Sequence, residues 1–195
     1  AHEFKTAQEA FRRIQRLIDD TPTLKKRVAR VRTSHGEEGI ELKDGRRLRF
    51  VARSTGSGRG FSADLVILDE GFNLPGEAMA ALLPTLSARP NPQIWYTSSA
   101  GMEESDWLRN VRKRGMTGEK ADRLAYFEWS AQTEARHYEQ ALDDRQEWAR
   151  ANPALGIRIK EEFIEAEQAA MGGMEFARER LGIWYDSSAD VVITE

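Results

Sequence analysis

The chain has 195 residues, 40% hydrophobic and 31% charged, with a net charge of −3. That length holds one domain with a sizeable core, or a domain with a small subdomain, and no run comes near the roughly 20 apolar residues of a membrane span. The absence of cysteine excludes disulfides, thiolate metal sites and cysteine nucleophiles, and agrees with a cytoplasmic protein. Residues 1–60 carry 15 Lys and Arg against 8 Asp and Glu, leaving 14 against 24 in residues 61–195. A basic first third suits a polyanion, whether nucleic acid or nucleotide phosphates, and suits equally the solvated faces of a helix and a hairpin.

Ala7, Ala10, Phe11, Ile14, Leu17 and Ile18 recur at helical spacing and predict an amphipathic helix over 7–18, with Thr6 as its N-cap and Asp19-Asp20-Thr21-Pro22 as its end. Alternation predicts a strand over 28–33. Two further strands, 39–42 and 47–51, flank Lys43-Asp44-Gly45-Arg46 as a hairpin. The loop 54–60, Ser-Thr-Gly-Ser-Gly-Arg-Gly, lacks the lysine of a phosphate loop and runs into a strand, so it is not one. Arg59 stands between glycines in that loop, either as an arginine finger reaching a phosphate or as a surface arginine in a turn.

The run Leu65-Val66-Ile67-Leu68 predicts a strand buried on both faces of a parallel sheet, and Asp69-Glu70 closes it at the carboxyl edge, where open α/β sheets bind ligands. Four apolar residues followed by Asp-Glu form the Walker B pattern. In that pattern the Asp holds Mg²⁺, usually through water, and the Glu orients or deprotonates the water that attacks the γ-phosphate. The same acidic pair also suits capping of the turn that follows. A helix broken or kinked at Pro84 is predicted over 77–87, then a second apolar strand from Gln93 that runs into Thr97-Ser98-Ser99-Ala100-Gly101. Hydroxyls at such a strand end can sense a γ-phosphate by hydrogen bonding, or mark a plain strand-to-loop boundary.

A helix over 103–114 turns Trp107, Leu108 and Val111 inward and Arg109, Arg112, Lys113 and Arg114 outward. A third strand is predicted over 123–129. Helices follow over 145–151, 160–171 and 175–182, separated by Asn152-Pro153 and Gly172-Gly173, with a loop over 186–189 before Val191-Val192-Ile193.

Taken in order, Ser57-Gly58-Arg59-Gly60-Phe61-Ser62, Asp64 to Glu70 and Thr97-Ser98-Ser99-Ala100 resemble the large subunit of a tailed-phage terminase, the ATP-driven motor that packages viral DNA. Ala1 to Ala7 is similar to the strand end and helix start after the phosphate-loop helix in one branch of that family. Asn152-Pro153-Ala154-Leu155 and Phe176 to Trp184 resemble the helical subdomain that closes the motor domain.

The resemblance implies an α/β fold of the P-loop NTPase (RecA-like) type, a mostly parallel sheet flanked by helices, truncated on its N-terminal side. Residues 1–130 would be the partial ATPase core and 131–195 a helical linker toward an absent nuclease domain. It further implies Asp69 for Mg²⁺, Glu70 as catalytic base, Thr97, Ser98 and Ser99 as coupling motif at the ATP site, and Arg59 as an arginine acting in trans in a ring-forming homo-oligomer. The implied partners are double-stranded viral DNA, the portal protein and the small terminase subunit, in the cytoplasm of the bacterial host and with no membrane role. No lysine of the sequence follows a glycine, so the chain alone is expected to hydrolyse ATP poorly or not at all. The alternatives are a non-enzymatic degenerate NTPase fold that docks DNA or portal, and a helicase-like NTPase fragment.

Overall fold

A computed structural model describes residues 4–34, 36–52 and 62–184. Arg59, expected to act in trans, lies outside these residues, as do the loop over 186–189 and Val191-Val192-Ile193. The chain divides into two compact units, one made of residues up to Glu70 with Pro75–Thr97, the other of Gly71–Leu74 with the chain from Ser98 onward.

In the first unit α1 (Phe4–Asp19) buries Ala7 and Phe11, and the Phe11 ring meets Phe50 edge-on at 5.4 Å. The helix begins earlier than its apolar spacing predicts. Thr6 therefore lies inside the first turn and is not the N-cap. Pro22 opens the short α2 (Pro22–Lys25), where its missing N–H is harmless. Strands β1 (Val28–Arg32), β2 (Gly39–Leu42) and β3 (Arg47–Arg49) form an antiparallel sheet in that order, centred on Ile40, which is 2% exposed. Gly45 has φ +85°, the left-handed conformation that the Asp-Gly turn demands.

The same unit holds β4 (Leu65–Leu68), α3 (Gly76–Leu86) and β5 (Gln93–Tyr96). The two strands pair in parallel, Leu65 opposite Gln93 through Leu68 opposite Tyr96. α3 runs through Pro84 to Leu86. The expectation that β4 is buried on both faces does not hold among the described residues. Leu68 is 6% exposed, but Leu65, Ile67 and, across the ladder from Ile67, Trp95 are 43%, 51% and 54% exposed. Among the described residues the parallel sheet has two strands, with the face of Leu68 covered and that of Leu65, Ile67 and Trp95 open.

The second unit carries α4 (Asp106–Thr117), α5 (Glu139–Leu142), α6 (Arg145–Ala151), α7 (Glu161–Ala170) and α8 (Gly173–Leu181). Trp148, Ile164, Phe176 and Leu181 are fully buried at its centre, with the Trp148 and Phe176 rings edge to face at 5.9 Å. The Trp148 indole N–H donates to the Leu142 carbonyl at 2.8 Å, so its burial leaves no orphan donor. Asp144 caps α6 by accepting from the amides of Gln146 and Glu147. Asn152 explains the break before Pro153: its amide donates to the carbonyls of Trp148 and Arg180, joining the end of α6 to α8. Gly182, at φ +67°, ends α8.

Residues 123–129 form no strand. The side chains alternate as a strand's would, with Tyr126 and Glu128 turned inward and Phe127 and Trp129 stacked outward at 75% and 61% exposure. No neighbouring strand pairs with this stretch among the described residues. Its inward side chains are held by side-chain bonds instead. No helix among the described residues is long and apolar enough to cross a membrane.

Candidate functional site

β4 and β5 run parallel, so the first residues past their ends, Asp69 and Thr97, come side by side. The Thr97 amide donates to the Leu68 carbonyl at 3.1 Å, and the Thr97 hydroxyl donates to Asp69 Oδ1 at 2.8 Å. Two expected site residues 28 positions apart in sequence are thereby joined at one carboxyl edge, where α/β sheets place ligands. The Asp69 carboxylate is exposed there.

Glu70 follows with φ +56°. For a residue with a Cβ the left-handed region costs about 1–2 kcal/mol, and such strain persists only where the surroundings enforce it. In the second unit the next residues, Gly71–Asn73, form a 3₁₀ turn. Both polar groups of Phe72 are held: its N–H donates to Ser98 Oγ at 2.9 Å, and its carbonyl accepts from Ser105 Oγ at 2.7 Å. Ser98 is thus a partner of the backbone after the acidic pair. Ser99 is half-buried beside the buried Ala100.

Ser105 was invisible as a site residue in the sequence. The helix predicted over 103–114 takes it inside the first turn, but α4 starts at Asp106 and leaves Ser105 at the N-cap position, where its side chain makes no cap hydrogen bond. The hydroxyl instead accepts from the Met102 amide at 2.9 Å while donating to Phe72.

The strongest electrostatic perturbation lies elsewhere in the second unit. Arg112, read from the sequence as an outward residue, makes a bidentate pair with Glu128 at 2.8 and 2.9 Å, and Tyr126 and Ser130 also donate to that carboxylate. Burial would raise the Glu128 carboxyl, but the bonds from Arg112 and Tyr126 outweigh it and hold it below its ordinary value. Burial would likewise lower the Arg112 guanidinium, and the bond and charge of Glu128 raise it. Burial, then the bond to Glu128, pushes the Tyr126 phenol up. Trp184 lies against the guanidinium groups of Arg112 and Arg109, at 5.0 and 5.7 Å from its ring centre. This is an internal clamp between α4 and the extended segment, with every charged member partnered.

Among the described residues no three His, Cys, Asp or Glu converge as a metal cage. The donor set at Asp69 fits a divalent ion that keeps most of its water, as Mg²⁺ does when held by one or two carboxylates.

No family model matches the sequence, and no curated protein matches it. The fold is similar to that in the crystal structure of the HK97 bacteriophage large terminase, with a TM-score of 0.74 over 93% of this chain at 19% sequence identity. The chain spans 38% of the length of that terminase chain. At this identity the likeness is one of fold.

Proposed function

We propose that this chain is part of the ATP-hydrolysing motor of a phage terminase large subunit, which moves double-stranded viral DNA into a capsid. The observation that carries the reading is the Asp69–Thr97 hydrogen bond at the shared carboxyl edge of β4 and β5, because it unites the acidic strand end and the hydroxyl strand end in one place. The terminase likeness in fold supports it. On this reading the fold is a P-loop NTPase type whose core is residues 1–130, with 131–195 as the helical linker subdomain.

Asp69 would hold hydrated Mg²⁺, whose charge offsets that of the nucleotide phosphates. Glu70 orients and deprotonates the attacking water. Thr97 bonds the metal-holding carboxylate and, with Ser98 and Ser99, links the nucleotide edge to the chain that follows. Arg59 completes the ATP site of a neighbouring subunit in a ring, and the motor works with the portal protein and the small terminase subunit in the host cytoplasm. The second reading is a degenerate NTPase fold that docks DNA or portal without hydrolysis.

Calorimetric titration with a slowly hydrolysed ATP analogue and Mg²⁺ separates the two. The motor reading predicts saturable binding that Asp69→Ala abolishes and Glu70→Gln retains. Absence of any nucleotide effect in the unsubstituted chain would reject it in favour of the docking module.

A further inference from the structure

We propose that Ser105 is a positioning residue for the 3₁₀ turn Gly71–Asn73, fixing the Phe72 peptide; the proposal deepens the motor reading and rests on it only for the importance of a turn that follows Glu70 in sequence. A serine at a helix N-cap ordinarily accepts from the amides of its own first turn. Ser105 forgoes that bond. It is 2% exposed, and its hydroxyl bridges two backbone groups outside the helix, donating to the Phe72 carbonyl and accepting from the Met102 amide.

Phe72 is two residues past Glu70, and its amide is held from the other side by Ser98. The 3₁₀ turn is therefore clamped at both polar groups of one residue, immediately after a glutamate in the left-handed conformation. A strained φ needs such over-determination to persist. The Met102 carbonyl accepts from Arg109 at 3.0 Å, and the Arg109 amide donates to the Ser105 carbonyl at 2.9 Å, so the anchor belongs to the first turns of α4 rather than to a loose loop. Ser98 comes from the hydroxyl run and Ser105 from the helix start, and the Phe72 peptide lies between them. Ser105 thus fixes the Phe72 peptide within the second unit without touching the acidic pair.

The test is amide hydrogen exchange, read residue by residue by NMR on the full chain, for the unsubstituted protein, Ser105→Ala and Ser105→Thr. In Ser105→Ala, exchange at Gly71 and Phe72 rises about tenfold, the Glu70 Cα and Hα shifts move away from left-handed values, and amides in α6 and α8 keep their rates. Ser105→Thr, which keeps the hydroxyl, restores the local protection. Unchanged exchange at Phe72 in Ser105→Ala would overturn the proposal, and so would an equal rise throughout the second unit, which marks a general loss of stability. No nucleotide enters this readout. A chain that shows the local effect but binds no nucleotide rejects the motor reading while leaving the hold of Ser105 on Phe72 established.

Discussion

Replacing Gly115 by alanine sets two effects of known size against each other. Gly115 lies inside α4, where alanine is favoured over glycine by about 1 kcal/mol of helix propensity. A Cβ at this position would lie 2.4 Å from Tyr126 Cγ, 2.6 Å from Cδ2 and 2.8 Å from Cβ. Those are the atoms nearest the Tyr126 backbone and cannot swing aside as a flexible tip could. Overpacking of this kind costs about 1–3 kcal/mol. Tyr126 also donates to Glu128, so displacing the ring weakens a charge-assisted bond of about 1.5–3 kcal/mol. The steric and bonding terms exceed the propensity gain, and Gly115→Ala should destabilise the second unit by about 2–4 kcal/mol in equilibrium urea unfolding. In a Tyr126→Ala background the obstruction is gone, so the same substitution should there stabilise by about 1 kcal/mol. A neutral or stabilising Gly115→Ala in the otherwise unsubstituted chain would refute the reasoning.

Truncating the buried ring in Phe176→Ala should cost about 3–5 kcal/mol, read by the same unfolding assay, because Phe176 is 0% exposed against Trp148 and leaves a cavity. Glu128 is held below its ordinary carboxyl value of 4.5, so its contribution is complete above that pH and is lost as the pH falls below it. Thermal melts of the unsubstituted chain should therefore drop on the acid side, and Glu128→Gln should blunt that drop. Tyr126 is raised above 10.0, so its contribution is complete below that pH and fades as the pH rises past it, and Tyr126→Phe should remove that alkaline loss.

Local pattern reached most of the helices and the hairpin, because helix periodicity and an Asp-Gly turn are properties of adjacent residues. The Asn152-Pro153 break was legible for the same reason. The stretch 123–129 was misread because its alternation is real but strand formation needs a partner, and pairing is not written in the segment itself. Burial of β4 failed similarly: an apolar run states what would be favourable to cover, and Leu65 and Ile67 show that the described chain leaves one face open. The nearness of Asp69 and Thr97 followed from two strand ends in one parallel sheet. Ser105 stayed hidden because its partner, a backbone carbonyl 33 residues away, carries no side-chain signal, and because the helix predicted over 103–114 takes it inside the first turn.

Manganese substituted for magnesium tests the acidic edge most directly. With Mn²⁺ and the slowly hydrolysed ATP analogue, NMR amide signals should broaden first and most strongly at Asp69, Glu70 and Thr97, and Asp69→Ala should abolish that pattern. Broadening centred on other carboxylates, or none at these three residues at saturating nucleotide, would contradict a metal–nucleotide site at the end of β4.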